Sequence, residues 1–141
     1  MRSMILAAAL ALLAGPALAG ETPAPAGAEL YFISPQDGAT VTSPVTVRFG
    51  LKGMGVAPAG VEDKENTGHH HLLIDAPAPS GAALNEPIPT DGHHKHFGGG
   101  QTETSIELAP GSHTLQLLLG DWSHIPHDPP VMSEQITITV N

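Results

Sequence analysis

The 141-residue chain contains no cysteine. That absence removes disulfides as a way to hold a small exported domain, and it removes thiolate metal sites. A lipoprotein anchor needs a cysteine directly after a cleaved leader, so that route is excluded as well. Basic residues are scarce: 5 Lys and Arg stand against 14 Asp and Glu, a formal charge of −9. Nucleic acid and anionic lipid are therefore poor partners, and cations are good ones. The same acidity also keeps an exported protein soluble. No apolar run approaches the roughly 20 residues that a membrane span requires, and no stretch beyond residue 19 has the period of an amphipathic helix. Beyond that point only Met54 and Met132 offer thioether sulfur, so a soft site suited to cuprous ion is poorly supplied.

What is present begins with a leader. Arg2, the apolar run Met4 to Leu13 and the small-residue ending Ala17-Leu18-Ala19 have the pattern of a cleaved secretory signal over residues 1–19. A periplasmic or secreted location without membrane insertion is expected. Removal of Arg2 with the leader leaves 14 acidic against 4 basic side chains, a charge near −10. The remainder has the length of one domain. Residues 20–28, GETPAPAGA, read as a flexible or polyproline-like lead, and residues 29–141 as the domain.

Apolar residues there recur in short runs: Glu29 to Ser34, Val45 to Leu51, His70 to Asp75, Thr102 to Leu108, His113 to Leu119 and Glu134 to Val140. Several alternate, as Val45, Val47 and Phe49 do, or Ile136, Ile138 and Val140 with Thr137 and Thr139 opposite. Period two marks half-buried strands. Turn signals separate them at Pro35-Gln36-Asp37-Gly38, Ser43-Pro44, Asp91-Gly92 and Pro110-Gly111. The pattern predicts an all-β, immunoglobulin-like antiparallel β-sandwich, with a small barrel as the alternative. Residues 53–68 and 76–100 are too long and too rich in Pro and Gly for hairpins, and read as functional loops.

The chain has nine histidines. Eight fall in three windows: His69-His70-His71, His93-His94-Lys95-His96 and His124-Ile125-Pro126-His127. Neutral imidazole is a donor for copper, zinc and nickel near pH 7, and such grouping is what a site needs. Alternation along a strand puts His69 and His71 on one face, and His70 with Leu72 and Ile74 on the other. Pro126 favours extended or polyproline backbone before it, which would send His124 and His127 to one side. The expected ligands are His69, His71, His96, His124 and His127, with His96 reaching in from a loop. Weaker candidates are His70, His93, His94, Asp121 and Glu103. Asp75 and Asp128 are further carboxylates close to the windows, able to ligate or to orient a ring. His93 and His94 also read as solvated loop residues. His113, in phase with Leu115, Leu117 and Leu119, reads as a hydrogen-bonded edge or core residue rather than a ligand. The triple histidine runs directly into Leu72-Leu73-Ile74, unlike a terminal tag. A pH sensor is the metal-free use of such a cluster. Gly98-Gly99-Gly100 lacks the lysine and the strand-to-helix context of a phosphate loop and reads as a bend.

The segments GHHHLLID, HFGGGQTET, PGSHTLQLLLGD and HIPHDPPVMSEQITITV, in that order, resemble the bacterial family catalogued as domain of unknown function 4399, over roughly residues 52–140. The resemblance implies a short exported single-domain protein with a sandwich-like fold. Its motifs match here at His69, His70, His71, His96, His124 and His127, and leave His93 and His94 outside.

The leading functional expectation is a module that buffers, carries or delivers a divalent ion. Cu(II), which binds nitrogen and oxygen ligands most tightly, comes first and Zn(II) next. Its partners would be the ion and a periplasmic or membrane metal-handling protein. An enzyme with an open metal position, using Glu103 or Asp121 for proton transfer, is a second expectation. A partner-binding sandwich whose histidines only satisfy loop backbone is a third.

Overall fold

In the computed structural model the described residues are 22–61 and 63–141. The expected leader lies outside them. Alternation builds the sandwich. In β3 (Val45–Lys52), Val45, Val47 and Phe49 are buried while Thr46 and Arg48 face solvent. Later, β9 (Ile136–Val140) repeats the pattern, with Ile136, Ile138 and Val140 inside and Thr137 and Thr139 outside. One sheet is small and antiparallel: β3 lies between β1 (Glu29–Ser34) and β7 (Glu103–Ile106). The larger sheet runs β2 (Thr40–Val41), β9, β8 (Gly111–Gly120), β5 (Thr67–Ile74) and β4 (Gly55–Val56). Here β8 is antiparallel to both β5 and β9, whereas β2 runs parallel to β9 and β4 parallel to β5. A further short strand, β6 (His94–His96), is antiparallel to β5.

Between the sheets lies the main core. Leu30, Val45, Val47 and Phe49 meet Leu72, Ile74, Leu115, Leu117, Leu119, Ile136, Ile138 and Val140, with Phe97, Ile106 and Val131 closing it. The two central strands depart from simple alternation. His69 to Ile74 of β5 and Leu117 to Gly120 of β8 are buried on both faces. Their outer face carries a second core of Leu73, Leu118 and Ile88, with Ala76, Ala78 and Met132 packed on it. The Pro-rich segment after β5, with a 3-10 turn at Gly81–Asn85, thus covers one side of the large sheet.

Two expectations need correction. The stretches 53–68 and 76–100 are not loops throughout, since they contain β4, β6 and the 3-10 turn. Two or three residues are too few for a period to register, and each short strand owes its form to pairing with β5. The lead is not loose over Thr22–Ala28. Asp128 N–H donates to the Thr22 carbonyl (3.0 Å), Ala24 N–H donates to the Asp128 carbonyl (2.9 Å), and Ala24 and Ala28 pack on the core.

Candidate metal centre

The outer face of β5 positions the site. His69, His71 and Leu73 point there, and His70, Leu72 and Ile74 point into the main core, as a pleated strand requires. The Nε2 atoms of His69 and His71 stand 3.0 Å apart. Register then adds a third ring. His96 of β6 pairs with His71, so it projects to the same face, and its ring lies 5.0 Å from both His69 and His71, centroid to centroid. One ligand nitrogen from each of His69, His71 and His96 lies within 4.8 Å of the others, and the three could hold one metal ion. The ring of His124 stands beside them, 4.7 Å from His96, 5.0 Å from His69 and 6.3 Å from His71.

Two glycines make room for the rings. A Cβ at Gly98 would run into the His96 imidazole, and one at Gly120 would sit 2.9 Å from His71 Nε2. Contact that close is available only to glycine, which is why a glycine ends β8 opposite His69.

The electrostatics favour neutral imidazole. Burial, with His96 and His124 close by, pushes His69 down to about 4, while Asp121 pulls the other way. Burial above all, then His69, His96 and His124, pushes His71 down to about 2. His96 is lowered too, by burial first and His124 second. Neutral rings keep a lone pair for a cation. Nδ1 of His69, Nδ1 of His71 and Nε2 of His96 are buried with no hydrogen-bond partner in the chain. Burying a polar atom unpaired costs about 1–3 kcal/mol, which the fold sustains three times within one cluster.

The other expected residues divide sharply. His127 is not brought to the cluster. Its Nε2–H donates to the Thr67 carbonyl (3.1 Å), and its ring packs where a Cβ of Gly68 would lie, on the His70 side of β5. The reason lies in the backbone: His124 has φ +71°, a tight turn rather than polyproline, so the two histidines part. Asp121 makes that turn. Its Oδ1 accepts from Ser123 N–H (2.8 Å), Ile125 N–H (3.0 Å) and Ser123 Oγ (2.9 Å), and its Oδ2 accepts from Thr22 Oγ1 (2.7 Å).

His70 is fully buried against Phe49, ring centroids 5.1 Å apart, and burial pushes it down to about 4. Neither of its nitrogens meets a partner at hydrogen-bond geometry. His93 donates to the Ile74 carbonyl (2.9 Å), and His94 donates from Nδ1 to Asp91 (2.8 Å), so both serve the turn before β6. His96 is a strand residue, not the loop residue expected. Glu103 sits on β7 of the small sheet, paired with Arg48 at 2.6 Å, away from the histidines. His113 donates to Asp75 (2.7 Å) and to the Ala109 carbonyl (2.8 Å), so it is hydrogen-bonded as expected, on a strand inside the sheet rather than at its edge. Asp75 also accepts from Thr114 N–H, and Asp128 holds the lead.

The donor set could hold a metal ion. With metal–nitrogen bonds of about 2.0–2.1 Å, neighbouring ligand atoms stand about 2.9 Å apart at right angles and about 3.4 Å apart in a tetrahedron. The 3.0 Å between His69 and His71 falls in that range, and the ligand nitrogen of His96 lies within 4.8 Å of both. The family model of a domain of unknown function (DUF4399) matches residues 47–141. The chain belongs to the DUF4399 family. Every residue of the histidine cluster lies inside the matched region of this DUF4399 protein, as do Gly98, Gly120 and Asp121. Neither a curated protein nor a solved structure matches the chain.

Proposed function

We propose that this protein binds a divalent transition metal in the periplasm, Cu(II) before Zn(II), and buffers, carries or delivers it. One observation carries the reading: His69, His71 and His96 converge from two paired strands, each with a nitrogen within 4.8 Å of the others, where Nε2 of His69 and His71 face each other at 3.0 Å and Nε2 of His96 is buried with no partner. Neutral imidazole is the ligating form, and here it is already present well below pH 7. The preference for copper is supported by the donor type, since Cu(II) binds imidazole nitrogen most tightly among the divalent first-row ions. Export is supported by the leader-like residues 1–19.

The test is titration of the untagged protein with Cu(II) and Zn(II), following elemental content and Trp122 fluorescence. Trp122 is 46% exposed and two residues from His124, so bound Cu(II) quenches it. One ion per chain is expected, with the uptake lost in His71→Ala. A protein that takes up neither ion under these conditions overturns the proposal.

A further inference from the structure

We infer that His124 is the fourth nitrogen ligand of the ion and the one that exchanges, held over the other three by the buried carboxylate of Asp121 acting as a positioning residue. The inference rests on the metal-binding reading above and adds how the ion enters and leaves.

The four rings are not anchored alike. His69 and His71 are built into β5, between β8 and β6, and His96 is locked to His71 by register. Moving any of the three breaks ladder hydrogen bonds. His124 belongs to no strand. It sits in the turn after β8, closed by Asp121 N–H to the Ile125 carbonyl (2.8 Å) and His124 N–H to the Asp121 carbonyl (3.0 Å). Its ring is nonetheless within 4.7–5.0 Å of two of the three, centroid to centroid.

A histidine at φ +71° is in the left-handed region, which a side chain adopts only where its surroundings impose it. Here Asp121 imposes it. The residue is 3% exposed, and both carboxylate oxygens are taken by donors from Thr22, Ser123 and Ile125, so it serves the turn and is no ligand itself. The carbonyl of His124 also accepts from Ile88 N–H (2.8 Å), which ties the turn to the segment covering the outer core. A ligand presented by a tense turn can leave the ion without disturbing the sheet, whereas the strand histidines cannot.

The experiment uses the full untagged protein loaded with Cu(II). Nitrogen hyperfine structure in the electron paramagnetic resonance spectrum counts the imidazoles, and transfer to a chelator gives the release rate. His124→Asn is the key variant, because asparagine tolerates the left-handed backbone. The expected result is still one ion per chain, one nitrogen fewer and release roughly 10–100-fold faster, the range seen when a site loses a supporting group. Asp121→Asn is expected to reproduce both changes, and the double variant to be no worse than His124→Asn alone. Should Asp121→Asn fail to fold, Thr22→Val, which removes one donor to the same carboxylate, is expected to speed release a few-fold. An unchanged nitrogen count and release rate in His124→Asn overturns this inference while leaving the three-histidine site standing. Failure of the wild type to bind copper overturns the metal reading itself.

Discussion

Steric room for imidazole is set at single positions. Gly120 faces His71 Nε2 at 2.9 Å and Ile88 Cδ1 at 3.3 Å from where a Cβ would stand. Gly120→Ala is therefore expected to push His71 off the cluster, weaken Cu(II) binding tenfold or more, and cost about 1–3 kcal/mol from overpacking; metal titration and urea denaturation check the two effects. His70 gives the opposite contrast. It lies on the core side, with the Gln101 backbone near its ring but outside hydrogen-bond geometry, so His70→Leu should leave metal binding intact and change stability by no more than about 2 kcal/mol, since an apolar replacement removes a poorly met desolvation cost. Loss of metal uptake in that variant would make His70 a ligand and refute the assignment. Strand alternation alone separates His69 and His71 from His70. It cannot separate His124 from His127, because the fate of that pair hangs on four hydrogen bonds to Asp121, one of them from Thr22, ninety-nine residues away.

Strands β5 and β8 work on two faces at once, and that is what lets a sandwich carry a buried site on its outside. Leu73 and Leu118 continue the outer face beyond His71 and Gly120, covered by Ile88 and Met132. Leu118 is fully buried, and Leu118→Ala is expected to lose about 2–5 kcal/mol, measured by denaturant unfolding; a loss under half a kilocalorie would show that the covering segment does not pack. Strands β1, β3 and β9 are legible in the sequence because each buries one face: β1 is found at its observed limits, and β3 and β9 follow from Val45-Val47-Phe49 and Ile136-Ile138-Val140. What stays hidden is β6. Its residues His94, Lys95 and His96 have no apolar period, and only the ladder with Leu73, Leu72 and His71 makes them a strand. The third histidine of the cluster is thus legible as a residue type but not as a member of a sheet.

Taken as one molecule, an acidic chain with suppressed histidines must respond to pH in a definite sense. In the unfolded chain these imidazoles titrate near 6.5, and in the fold His69 and His70 are pushed to about 4 and His71 to about 2. Between the folded and unfolded values the unfolded chain binds more protons, so stability rises with pH there. The full contribution is present above about pH 6.5, and on acidification each of these histidines removes up to about 1.4 kcal/mol per pH unit until its folded value is reached. His113 acts in the other direction: its hydrogen bond to Asp75 raises it, so its contribution is present in acid and fades as pH passes the raised value. The pair is half-open, with Asp75 38% exposed against 15% for His113, so solvent screens it and it is worth little. Asp121, held down by its hydrogen bonds, contributes above the ordinary carboxylate range and sharpens the loss in strong acid. The expected outcome is a melting temperature of metal-free protein that is level from pH 8 to 7 and falls steeply from pH 6 to 4. Saturating Cu(II) should raise it throughout, by about 2.7 kcal/mol of stability at a hundredfold excess over the dissociation constant. Because His69 and His71 are neutral at pH 6 before any ion arrives, calorimetry in buffers of different ionisation enthalpy at that pH should show almost no proton released from these two rings. A flat melting profile from pH 7 to 5, or about one proton released per ligand at pH 6, would mean that these rings are charged in the folded protein and that the cluster is not preformed for a cation.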